Sequence, residues 1–228
     1  MAEHKKLLLV CTPMRSGSGL MRDYLEGNRI PIREINMFAV QKPQALVQHL
    51  AKMKAPVVGV KLTPLHMMGH GCATPYEWLV TFLACAEKHK LKPAWVFLDR
   101  RNFVRQATSW VRAMKTAQPA IFKPSPAVPF DWDFDSQTIL GWLYGLHRQR
   151  VWWQVVFGRM NLTPLRLFYE DFVADKQGTM AQVFSAVGIE QFTLDTRARV
   201  QQPIEEMEVI VQEFYDEVLS WGSKNWSH

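Results

Sequence analysis

KLLLVCTPMRSGSG, residues 6–19, is an apolar run that stops at a Ser/Gly-rich turn. A short apolar run without strict alternation suits a parallel strand buried on both faces. Ligands of such sheets bind outside the carboxyl ends of the strands, so the turn from Met14 to Gly19 is aimed at a crevice of that kind. The N–H groups of Ser16 to Gly19 can converge on an anion there, the glycines allow close approach, and a helical pattern from Leu20 to Glu26 adds its positive N-terminal end. The turn is a phosphate cradle but not a Walker A loop. GxxxxGK[ST] is absent, because Arg15 precedes the Ser-Gly turn and Gly19-Leu20 supplies neither the lysine nor the magnesium-binding hydroxyl. Taken alone, it reads equally as a Gly/Ser turn capping a helix.

Outward from this stretch, Pro56–Leu62, Ala94–Leu98 and Leu165–Tyr169 read as further short strands. Helical patterns lie between them, at about 42–53, 75–90, 102–117, 135–157 and 178–187, with a terminal one at about 203–221. Strands alternating with helices predict an α/β, P-loop-like three-layer fold, with a mostly parallel central sheet flanked by helices. No repeat or linker interrupts the 228 residues, and 48% of them are apolar, enough for one sizeable core, so a single domain over 1–228 is expected. Pro119–Asp135, rich in proline and aromatics, cannot continue a helix and reads as a lid or surface connection.

The bulk numbers exclude several classes. Cys11, Cys72 and Cys85 form neither a CxxC pair nor an even framework, which suits reduced thiols in a cytoplasmic protein. No window approaches the roughly 20 apolar residues of a membrane span. The net charge of +6 favours anionic partners, yet the basic residues form no run, so a small polyanion explains them better than nucleic acid. His66 and His70 flank Gly69 in a Met/Gly-rich turn, where a helical metal-binding pair is disfavoured; no metal is expected, and His66 is a reserve base.

A second motif adds to the loop. Leu98-Asp99-Arg100-Arg101-Asn102 leaves a strand with two arginines, and Ser109 follows Arg101 by eight residues in an amphipathic helix. A strand-end arginine and a serine about two helical turns on can address one phosphate. With RSGSGL at 15–20, GNRIPIRE at 27–34, GVKL at 59–62, LDRRNFVRQATSWVRA at 98–113 and YEDFVADKQGTMAQVFSAVGI at 169–189, the chain resembles sulfotransferases that use 3′-phosphoadenosine-5′-phosphosulfate (PAPS). Within them it is most similar to bacterial carbohydrate sulfotransferases of the trehalose and nodulation-factor type.

The resemblance implies sulfuryl transfer from PAPS to a carbohydrate or glycolipid hydroxyl, with PAP (3′-phosphoadenosine-5′-phosphate) as product. Arg15, Ser16, Gly17, Ser18 and Gly19 would hold the 5′-phosphosulfate, Arg101 and Ser109 the 3′-phosphate, and Glu34 would be the base. Gly19 departs from the pattern, standing where Ser or Thr is usual. Lys61 ends the second apolar run and faces the same crevice as Arg15; the resemblance makes it a second sulfate cation, and Thr63 replaces the histidine base of the animal enzymes. Asp99, also off-pattern, is expected to pair with Arg100 in solvent. Tyr169-Glu170-Asp171 is read as a strand-to-helix cap, Trp142, Trp152 and Trp153 as core, and Trp132 as an acceptor platform. The apolar stripe of the terminal helix, from Met207 to Leu219, suits the sheet or a homodimer contact. Competing readings are a nucleotide or nucleoside kinase with a degenerate loop and a non-catalytic nucleotide-binding protein.

Overall fold

The computed structural model describes residues 4–35, 42–67, 72–115, 136–194 and 205–225. The chain divides into two compact units, Met1–Arg101 with Gln149–Ala198, and Asn102–Arg148 with Arg199–His228.

The first unit holds a five-stranded, all-parallel sheet of β1 (Lys5–Cys11), β2 (Ile32–Glu34), β3 (Val57–Leu62), β4 (Leu91–Asp99) and β5 (Leu165–Phe168), in the order β2-β3-β1-β4-β5. The first run is therefore the central strand. In β1 the side chains alternate between two cores: Leu7, Leu9 and Cys11 on one face, Leu8 and Val10 on the other. The first core is closed by α2 (Pro43–Lys52), α3 (Pro75–Lys88) and the last part of α5 (Ser136–Arg159), through residues such as Leu50, Phe82 and Trp153. The second is closed by α1 (Ser18–Gly27), α6 (Tyr169–Ala174) and α7 (Lys176–Ala186), through Met21, Phe172 and Phe184. Each fully buried Leu or Phe contributes about 1.5–3 kcal/mol. This is the three-layer α/β arrangement expected of the alternating pattern.

Helix boundaries follow local chemistry. α3 starts at Pro75 behind Thr74, whose hydroxyl accepts the Glu77 N–H at 3.1 Å while Glu77 takes the Ala73 N–H at 2.7 Å. β2 is an unexpected element: its three residues follow Pro31 and are too few to leave a periodic signal.

The second unit contains α4 (Phe103–Lys115), the first part of α5 and α8 (Glu205–Asn225). The stripe of α8 buries Met207, Ile210, Val211 and Phe214, and α8 packs on α4, where Arg105 meets Glu208 at 2.9 Å. Its partner in the chain is thus a helix, where the stripe had suggested the sheet or a second subunit. Leu219 stays exposed.

Candidate active site

The loop after β1 is built from strand ends. The Thr12 N–H donates to the Leu62 carbonyl at 3.0 Å and the Thr12 hydroxyl to the Leu98 carbonyl at 2.9 Å, so one residue joins the ends of β3, β1 and β4. Arg15 follows with φ 62°, and Gly17 with φ 84°. The Ser16 hydroxyl is buried and donates to the Pro13 carbonyl at 3.0 Å, which spends it on loop shape. Gly17 is required twice over: its backbone is left-handed, and a Cβ there would run into the Tyr169 ring. As N-cap of α1, Gly17 brings no side-chain acceptor, and the first turn contains no acid. The N-terminal N–H groups of α1 therefore keep their positive field for an external anion.

Cations gather around this turn. Burial lowers the Arg15 pKa to about 10, the charge of Arg100 pushes the same way, and Tyr169 opposes. Lys61, at the end of β3, is also held below its ordinary value, by burial first, against the opposing pull of Glu34, with Arg22 and Arg15 adding to the repulsion. Glu34 is the carboxylate among them. It accepts from Arg22 at 2.9 Å and pairs with Lys61 at 3.1 Å. Both contacts fall on Oε1; Oε2 takes neither. The register explains the meeting, since Glu34 lies beside Lys61 in the β2/β3 ladder. The structure thus brings Arg15, Lys61 and Glu34 into one electrostatic group. Glu34 is a strand-end residue on an ion-pair network.

At the end of β4 one expectation is overturned. Asp99 is buried and does not pair in solvent with Arg100; both its oxygens take Arg150 of α5 at 2.6 Å. Arg150 was invisible to the sequence reading because 51 residues separate it from Asp99. Arg100 is buried as well, 4.7 Å above the Tyr169 ring and 3.7 Å from Glu170. Arg101 by contrast is exposed and held in a two-pronged pair by Asp171 at 2.6 Å, while its N–H donates to Glu170 at 3.0 Å. Tyr169-Glu170-Asp171 is therefore a holder of arginines more than a cap: the N-cap of α6 is Phe168, with no side-chain bond.

Ser109 is buried on α4 in the second unit, whereas Arg101 ends the first segment of the other unit. Trp153 is core, Trp152 packs against it, and Trp142 meets Trp110 edge-on within the second unit. His66 sits in a 3₁₀ turn at Pro64–Met67. His70, Trp132 and the segment Pro119–Asp135 lie outside the described residues. All three cysteines are free thiols, Cys11 with its pKa raised by burial. Among the described residues no group of three His, Cys, Asp or Glu could hold a metal, and no helix is long and apolar enough to cross a membrane.

A parallel α/β sheet whose central strand feeds a helix N-terminus without a side-chain cap, with the partly buried Arg15 before it, defines a P-loop-like α/β protein. Residues 83–208, more than half of the chain, match the family described as Stf0 sulphotransferase, and the chain belongs to that family. It is accordingly an enzyme of the sulfotransferase kind. The matched stretch contains Arg101 and Ser109 and begins beyond Arg15, Glu34 and Lys61. No curated protein matches the chain.

Proposed function

We propose that this sulfotransferase takes its sulfuryl group from PAPS and delivers it to a carbohydrate or glycolipid hydroxyl, giving PAP and a sulfate ester. The observation that carries the reading is Arg15: a partly buried guanidinium in a left-handed turn, two residues before Gly17, the N-cap of α1, which brings no side-chain acceptor. Sulfuryl transfer resembles phosphoryl transfer in spreading charge over peripheral oxygens and building it on the leaving bridge oxygen. Fixed cations and helix N–H groups in a dry site stabilise that charge without reorganising. Arg15, Ser16, Gly17, Ser18 and Gly19 would receive the 5′-phosphosulfate, with Lys61 as a further cation. Arg101 and Ser109 are assigned to the 3′-phosphate on family resemblance.

In the step itself, the acceptor oxygen forms a bond to sulfur while its proton passes to Glu34. The bond from sulfur to the bridging oxygen breaks, and the electron pair leaves on the phosphate of PAP beside Arg15. Oε2 suits Glu34 to this role, because Arg22 and Lys61 hold the carboxylate by its other oxygen.

Calorimetric titration with PAP and with ATP-magnesium tests the donor. Binding of PAP without ATP is expected; ATP binding without PAP would point to a kinase and sink the reading. Glu34→Gln, which keeps an oxygen for Arg22 and Lys61, should bind PAP with unchanged affinity and lose transfer from labelled PAPS. Turnover at the wild-type rate would remove Glu34 as the base.

A further inference from the structure

Arg15 and Arg100 repel one another, and both are largely withdrawn from water. Chain segments carrying like charges at a shared site must be fastened by contacts that outweigh that repulsion. The fastening is visible in two consecutive residues of α5. Gln149 Oε1 accepts the Met14 N–H at 3.2 Å, directly before Arg15. Arg150 binds Asp99 through Nε and Nη2 at 2.6 Å each, and Nη2 also reaches the Arg100 carbonyl at 3.3 Å. Asp99 Oδ1 in turn accepts the Arg100 N–H at 2.8 Å. The peptide groups on both sides of Arg100 are therefore held, one by Asp99 and one by Arg150. Arg101 begins where this grip ends.

We infer that Gln149 and Arg150 are positioning residues which lock the loop at 12–18 to the β4 end at 99–101, so that the two ends of the donor are gripped in one fixed spacing. The inference rests on the PAPS reading above. A donor with phosphates at both ends of its ribose gains from a second contact only when the two grips are already spaced for it. Otherwise, part of the second contact is spent on ordering the protein. Helix α5 suits the task because Gln149 and Arg150, as neighbours on one rigid element, move together.

The readout is the gain in affinity contributed by the 3′-phosphate, measured as the ratio of the dissociation constants of adenosine 5′-phosphate and PAP. Gln149→Met keeps the side-chain length and removes the amide whose oxygen accepts the Met14 N–H. Arg150→Lys keeps the charge beside Asp99 and loses the fork. Each variant should cut the ratio by about fivefold, the scale of one lost buried hydrogen bond. Each should remain folded at the assay temperature by circular dichroism. A loss of stability alone does not change this ratio, since it lowers the folded fraction equally for both ligands. Where Arg150→Lys fails to fold, Gln149→Met still decides the matter.

If wild-type protein binds PAP and both folded variants keep the wild-type ratio, the clamp is wrong while the PAPS reading stands. If wild-type protein binds no PAP, the PAPS reading falls and takes the clamp with it. A reduced ratio in the folded variants supports the clamp.

Discussion

Arg15 and Arg101 are assigned to opposite ends of one donor, and their surroundings push the two guanidinium groups in opposite directions. Arg15 is lowered to about 10, chiefly by burial and then by Arg100. Arg101 is raised, chiefly by its hydrogen bonds to Asp171, and is exposed. The first is a charge that the fold holds at a cost, in a place where fields act strongly. The second is a surface ion pair, which contributes little until a ligand replaces the carboxylate. On the function proposed above, chemistry is concentrated where the charge is costly to hold, and reach where it is not.

Removing Arg15 should therefore have the largest effect. Arg15→Ala is expected to lower the transfer rate by about 10²–10³-fold, the range for loss of one preorganised donor to a developing oxyanion. Initial-rate assays with labelled PAPS measure it. A loss smaller than that of Arg101→Ala would invert the comparison.

Arg101→Ala should act on binding: the PAP dissociation constant rises by about tenfold, corresponding to one charge-assisted hydrogen bond. The rate at saturating donor stays close to wild type. The companion variant Asp171→Asn sharpens the contrast. It frees Arg101 from an exposed pair and should tighten PAP by no more than about threefold, in keeping with the low worth of such pairs. Weaker PAP binding in Asp171→Asn would mean that Asp171 presents Arg101 to the ligand and does not compete with it.

Much of this contrast was legible before folding, and the illegible part has a physical reason. The run from Leu7 to Cys11 predicts a buried parallel strand because burial on both faces leaves it apolar throughout. The left-handed turn is written in Gly17, although Arg15 at φ 62° is a strained position no composition rule foretells. Arg101 and Ser109 were picked out by their spacing together with the family resemblance. Arg22, Gln149 and Arg150 were not, because their roles depend on contacts across the chain: Arg22 with Glu34, Gln149 with Met14, Arg150 with Asp99. The off-pattern acid at Asp99 was the available signal. A buried carboxylate at a strand end needs a cation, and the arginines at 148 and 150 were candidates. The edge strand carrying Glu34 left no periodic trace.

The smallest expected effect contrasts the two carboxylates near these arginines. The Asp23 pKa is pushed up to about 6 by burial, with Arg22 opposing and Glu26 and Glu34 adding. Asp171 is held below the usual range by its hydrogen bonds to Arg101. The signs follow from linkage. Between about pH 4 and 6 the folded chain keeps the Asp23 proton that the unfolded chain has lost, so this carboxyl favours folding at low pH and that benefit fades as pH rises. Asp171 does the reverse, favouring folding above the ordinary carboxylate pKa and losing that contribution as pH falls through its folded value. Asp23→Asn should accordingly stabilise the protein at pH 7 by less than about 1 kcal/mol after solvent screening, a rise in Tm of no more than about 4 °C for a chain of this size. The advantage should shrink toward pH 4 and vanish at about pH 3, where wild-type Asp23 is protonated in both states. Asp171→Asn should show its deficit at pH 7 and lose it toward acid. Thermal unfolding of both variants across this range decides the point. Parallel pH profiles would mean that Asp23, beside Arg22, and Asp171, beside Arg101, are held alike.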